Sequence, residues 1–238
     1  MISQTTIKTL MGKYQTTKLN IKREYLQNLF LSYFYQQNGS ENIFFKGGTA
    51  LRIAYKSPRF SEDLDFSSNI KEVRIEQIII DTLSELEKEG FFIEVKDATK
   101  TSGGYLSVIL FDYDKEKISL KLEISLRKKE VKGEIITIIN DFIPAYTIML
   151  LLEEELIGEK IEALLTRQKA RDFYDFYFIL RLGILPIKYK YLMKPIMETV
   201  KKTNIQFEKE LKIFLPKSHI LIVKNFKPVL ERELERYV

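Results

Sequence analysis

Apolar residues recur at helical spacing early in the chain, at Leu19, Tyr25, Leu26, Leu29, Phe30, Tyr33 and Phe34. The pattern closes at Asn38-Gly39, so residues 1–40 are predicted to be largely helical. Ile43-Phe44-Phe45 then reads as a short apolar strand stopped by Gly47-Gly48. Thr49 stands where a helix cap belongs, ahead of a short helix over Ala50 to Tyr55 that ends before Pro58. Leu64 and Phe66 alternate with Asp63 and Asp65 as a second strand, and a helix is predicted from Lys71 to Glu89, ending at Gly90. Three strands follow, over Phe91–Asp97, Tyr105–Phe111 and Lys117–Leu126, with Asp112-Tyr113-Asp114 as the turn between the last two. A short strand over Glu134–Ile139 precedes a reversal around Pro144. From Thr147 onward the pattern is helical, with helices near 147–167, 170–182, 188–201, 205–213 and 226–236.

That order of elements predicts an α+β (α/β) protein. N-terminal helices and a mixed sheet flanked by helices occupy residues 1–145, and a helical C-terminal domain occupies residues 146–238. With 238 residues, 45% of them hydrophobic, the chain can bury a sizeable core. It contains no cysteine and one histidine, His219. Disulfide scaffolds, thiol nucleophiles and multi-histidine zinc sites are therefore excluded, and chemistry falls to carboxylates, hydroxyls, lysines or a hard metal ion. No apolar run approaches the roughly 20 residues of a membrane span, and the N-terminus lacks the pattern of a signal peptide. The expected location is the cytoplasm, with no membrane partner. Charge is unevenly spread: residues 188–238 hold twelve basic and six acidic side chains, a net of +6, whereas residues 1–187 carry a net of −1. A basic end suits a polyanion such as RNA, and equally suits a set of solvated lysine-rich helices.

The strand over Lys117–Leu126 alternates cleanly. Ile118, Leu120, Leu122, Ile124 and Leu126 share one face, and Lys117, Ser119, Lys121, Glu123 and Ser125 the other. Asp63 and Asp65 likewise share a strand face. If the two strands are neighbours, three carboxylates converge, raising one another's pKa until a cation such as Mg²⁺ or Mn²⁺ relieves the repulsion. Spacing alone leaves a second reading, in which the aspartates flank a turn and Glu123 faces solvent. Just upstream, Lys46-Gly47-Gly48-Thr49 ends a strand and opens a helix, so its backbone N–H groups are positioned to receive a phosphate; a tight turn is the plainer alternative.

The block Phe45-Lys46-Gly47-Gly48-Thr49-Ala50-Leu51, followed by Arg59-Phe60-Ser61-Glu62-Asp63-Leu64-Asp65-Phe66, resembles the nucleotidyltransferase motif of the polymerase-β-like superfamily. More narrowly it resembles the AbiEii/AbiGii toxin family of toxin–antitoxin and abortive-infection systems. The downstream segment Lys160, Arg167 and Lys169-Ala170-Arg171-Asp172-Phe173-Tyr174-Asp175 is similar to the family's basic-acidic segment, so the likeness spans roughly residues 40–180.

The resemblance implies a polymerase-β-like core whose Asp63, Asp65 and Glu123 hold Mg²⁺ (or Mn²⁺). Lys46, Gly47, Gly48, Thr49, Arg59, Ser61, Lys160 and Arg171 are then expected around an NTP. Lys160 and Asp172 join the three acids as catalytic residues, and the part played by Asp175 stays open. The implied reaction is attack of an acceptor hydroxyl on the α-phosphate of the NTP, with loss of pyrophosphate. The acceptor would be RNA, by family analogy the 3′ end of tRNA, and an antitoxin would be a partner. Transfer to a protein hydroxyl, or a silent module that only holds a nucleotide or antitoxin, are the alternatives. His219 is expected to be structural, and the aromatics Phe173, Tyr174, Phe176, Tyr177 and Phe178 to form core rather than a base-stacking platform, with Tyr174 and Tyr177 as the candidate exceptions.

Overall fold

A computed structural model of the chain describes residues 1–128 and 130–237. Two N-terminal helices open the fold: α1 (Gln4–Tyr14), capped by the Ser3 hydroxyl, and α2 (Lys18–Phe34), capped by Thr17. The chain then lays down β1 (Ile43–Lys46), the short α3 (Gly47–Ile53) and β2 (Asp63–Ser68). After α4 (Glu72–Lys88) come β3 (Phe92–Thr101), β4 (Gly104–Tyr113), β5 (Glu116–Ser125), β6 (Gly133–Ile138) and β7 (Tyr146–Leu151). These strands form one mixed sheet in the order β3-β4-β5-β2-β1-β7-β6. Pairing is parallel between β2 and β5 and between β1 and β7, and antiparallel elsewhere.

The two faces of the sheet have different jobs. Leu64 and Phe66 of β2 and Phe45 of β1 are fully buried on one face. There the Phe66 ring lies 5.4 Å from both Phe45 and Phe34 of α2, so α2 seals this side with α4 packed beside it. The opposite face carries Lys46, Asp63, Asp65 and Glu123, because successive strand residues point to opposite sides. It is flanked by α5 (Glu153–Thr166) and α6 (Ala170–Leu182). The chain ends in α7 (Met193–Lys202), α8 (Phe207–Leu211), α9 (Ile220–Lys224) and α10 (Phe226–Leu234); α8 and α10 pack on α6, α7 on α10 and α5, and α9 on α8 and α10.

Most elements fall where the hydrophobic pattern puts them, with a few departures. The β4–β5 turn is Asp114-Lys115, both at positive φ, and Asp112 and Tyr113 extend β4 and pair with Lys117 and Glu116. Residues 146–151 form β7 rather than the first turns of a helix: Tyr146, Ile148 and Leu150 are buried while Thr147 is exposed, and Phe45 pairs with Leu150. A short apolar run joined to a helix cannot be told from helix by periodicity alone. The helix begins instead at Glu153, where three glutamates in the first turn favour the positive end of its dipole. Thr49 lies inside α3 rather than capping it, and its hydroxyl donates to the Asp63 carbonyl. The short α9 lies between two segments of helical pattern, where the sequence predicts no helix. Phe173, Tyr174 and Phe176 are core as expected, and His219 is half-buried, its pKa lowered by burial.

Candidate active site

The turn from β1 into α3 is built for close approach. Gly47 has φ +82°, and a Cβ there would fall onto the Asp65 carboxylate and within 2.7 Å of the Asp65 Cβ. A Cβ on Gly48 would stand 2.5 Å from Arg59 Nη2 and 2.8 Å from Ser61 Oγ. Both glycines are thus required, and the turn lies directly beside the aspartate strand and the Arg59–Ser61 segment.

Asp63 and Asp65 project from β2 onto the same face, with Asp65 opposite Lys46 of β1 and Glu123 of β5. Burial pushes the Asp65 carboxyl up to about 6; Glu123 and Asp63 push the same way, while Lys160 and Lys46 pull against them. Burial also raises Asp63, opposed by Lys121 and Arg171. The aspartate pair is therefore under-compensated by cations. Its hard oxygen donors fit Mg²⁺ or Mn²⁺, and Mg²⁺ is characteristically held by one or two carboxylates together with substrate phosphates.

Glu123 departs from the expected three-acid cluster. Its register is as the alternation implies, but its side chain is 48% exposed and its carboxylate pairs with Lys121 on the same strand. Among the described residues no three acidic or imidazole side chains gather closely enough to cage a metal. The geometry is two aspartates with Glu123 held to one side.

Lys160 reaches the site from α5. Its Nζ donates to Asp175 Oδ2 at 2.8 Å, and Asp175 also accepts from Arg59 Nε at 2.7 Å and Nη2 at 3.0 Å. Burial alone would raise the Asp175 carboxyl, but the two cations prevail and hold it down at about 2. Arg59 Nη1 donates to the Phe60 carbonyl, and the guanidinium lies against Gly48 with each of its nitrogens donating once to protein. Asp172, expected among the catalytic residues, is fully buried and turned elsewhere. It pairs with Arg167 and accepts from the Lys169 backbone N–H at 2.9 Å, capping α6. Arg171 lines a cavity of about 230 Å³ with Arg59, Ser61 and Lys169. A second cavity of about 270 Å³ lies between Lys46, Asp65, Glu123, Ser125 and Arg127. Lys46 is fixed from the far side by Glu159 of α5 at 2.8 Å.

The sequence brought Asp175 into view without showing its place. Asp172 and Asp175 are equivalent in spacing, and only the docking of α5 on α6 decides which meets Lys160. Arg127 carried no signal beyond its closeness to Glu123; Lys121 was visible as its neighbour on the polar face of β5.

Comparison with known proteins bears on the family and the fold. A family model described as the nucleotidyl transferase AbiEii toxin of a type IV toxin–antitoxin system matches residues 29–233. In fold, the chain is similar to MenT4, a nucleotidyltransferase toxin from Mycobacterium tuberculosis. The TM-score is 0.66 at 16% identity, covering 100% of this chain and 93% of MenT4. It is similar as well to JHP933 from Helicobacter pylori, with a TM-score of 0.62 at 20% identity, covering 93% of this chain and 95% of that one. No curated protein matches it. With a family model spanning most of its length, the chain belongs to the AbiEii family of nucleotidyltransferase toxins.

Proposed function

We propose that the protein transfers a nucleotidyl group from an NTP to the 3′ end of an RNA, with tRNA as the acceptor and Mg²⁺ as the metal. It would act in the cytoplasm as the toxin of a pair whose partner is an antitoxin; among the described residues no helix is long and apolar enough to cross a membrane. The observation that carries this reading is the Asp63/Asp65 pair, half-buried beside the glycine turn with too little positive charge around it. A divalent cation held there would neutralise charge on the α-phosphate and favour ionisation of the acceptor hydroxyl. The hydroxyl oxygen bonds to the α-phosphorus, the bond to the bridging oxygen breaks, and pyrophosphate leaves with that electron pair.

The chain's own residues do the rest by positioning and electrostatics. Gly47 and Gly48 let backbone approach the triphosphate, Thr49 ties that turn to β2, and Ser61 offers a hydroxyl beside it. Lys160 supplies a positive point charge near Asp65, oriented by Asp175, while Lys46 and Arg171 flank the aspartates. Arg59 acts through Asp175, and Asp172 through the start of α6. Glu123 supports the site from β5.

The test is incubation of purified protein with each labelled NTP and Mg²⁺, together with total RNA or with lysate protein. Label in the tRNA band, lost with Asp63→Asn, is expected. Label in protein alone would replace the acceptor, and no transfer to either, with NTP still bound, would leave a binding module.

A further inference from the structure

The basic C-terminal helices enclose a groove of about 510 Å³ between α8 and the α9–α10 junction. Its rim carries Lys209, Lys212, Lys224 and Lys227 against one acid, Glu208. Among the described residues, the ion pairs of 188–237 are Lys188–Glu154, Lys202–Glu198, Arg181–Glu233 and Arg236–Glu233; none takes up a rim lysine. Lys227 is instead anchored on backbone, donating to the Lys201 carbonyl at 2.6 Å and the Thr203 carbonyl at 3.2 Å. The groove floor is shut by Phe207 and Phe226, whose rings lie 4.8 Å apart and are buried. No aromatic face is open there for a base to stack on.

Its position relative to the aspartates gives the groove its meaning. Glu210 and Leu211 of α8, with Phe214 just beyond, line the cavity that holds Arg59, Ser61 and Arg171, whereas Phe207, Lys209 and Lys212 line the groove. One short helix is therefore the wall between them. The Phe60 N–H bonds to the Phe214 carbonyl at 2.7 Å, fastening that wall to the loop that leads into β2.

We propose that this groove binds the phosphate backbone of the RNA acceptor upstream of its reactive end. Unpaired lysines over a closed floor recognise charge rather than sequence, so the groove positions many RNAs equally and leaves selection to the active site. The inference rests on RNA being the acceptor.

The experiment compares wild type, the groove variant Lys209→Ala/Lys212→Ala/Lys224→Ala and a control, Lys71→Ala/Lys96→Ala/Lys100→Ala, that removes equal charge elsewhere. Lys227 is kept because it secures the end of α7. The affinity of each protein for total tRNA is measured from 50 to 300 mM salt, together with KM for NTP. The groove variant should bind tRNA at least tenfold more weakly at moderate salt. Its log K against log[salt] slope should be shallower by about two units, at roughly 0.7–0.9 per phosphate contact. Its KM for NTP should match wild type. A groove variant indistinguishable from the control overturns the groove while leaving RNA as the acceptor. If wild type itself neither binds nor labels tRNA, both the groove and the acceptor assignment fail.

Discussion

Asp65→Asn should make the protein more stable while removing its activity. The Asp65 carboxyl is raised from 3.8 to about 6, chiefly by burial, with Glu123 and Asp63 adding to it. Among the described residues no hydrogen bond to its oxygens compensates. A carboxyl whose pKa is higher in the folded state adds nothing unfavourable below its unfolded value. It weakens the fold progressively as pH rises through the folded value, and above that the penalty is constant. A shift of this size corresponds to about 3 kcal/mol, and partial exposure of the side chain reduces the expectation to about 2 kcal/mol. Asparagine keeps the shape and carries no charge, so Asp65→Asn should gain about 2 kcal/mol at pH 7.5 and lose most of that advantage near pH 4. With a urea slope of about 2 kcal/mol/M, the midpoint at pH 7.5 should move up by about 1 M. The assay is urea unfolding of both proteins in EDTA at pH 4 and 7.5, repeated with Mg²⁺. Mg²⁺ should narrow the gap by stabilising wild type alone. An Asp65→Asn protein that is less stable than wild type at pH 7.5, or whose advantage does not change with pH, refutes the account of an under-compensated buried acid.

Gly47→Ala should destabilise by about 1–3 kcal/mol through its positive φ, and should abolish transfer by displacing the Asp65 carboxylate; urea unfolding and a labelling assay read the two effects. Asp175→Asn should cost about 3–5 kcal/mol, because it strands Arg59 and Lys160 in the interior. In wild type the low pKa of Asp175, about 2, adds stability that is complete above its unfolded value near 4. That contribution, about 2 kcal/mol, disappears as pH falls towards 2, and the acid limb of unfolding should flatten in Asp175→Asn. Lys160→Ala should lower kcat/KM for NTP at least a hundredfold, checked by steady-state kinetics, since it removes the point charge near Asp65. Asp172→Ala should cost about 1–2 kcal/mol of stability as a lost helix cap, while activity per folded molecule stays within a few-fold of wild type.

Local chemistry determined a good deal of this protein from sequence alone. Period-two alternation in β5 put Glu123 on the polar face, and Leu64 and Phe66 pointing inward forced Asp63 and Asp65 outward together, because a strand allows no other arrangement. Two glycines between an apolar strand and a helix marked the turn, since only glycine takes φ +82° there without strain. The family motif was likewise contiguous enough to read. What the tertiary structure decided were matters of partnership. Residues 146–151 became a strand because β1 offered an unpaired edge that an apolar run could fill in parallel. Glu123 turned aside because Lys121 lies on its own face and the carboxylate is half in water. Asp175 rather than Asp172 meets Lys160 because α5 docks on that side of α6, while Asp172 is used at the helix start. Sequence spacing fixes which side chains share a face of one element. Which charge meets which across two elements depends on how those elements pack, and a buried ion pair is set by that packing alone.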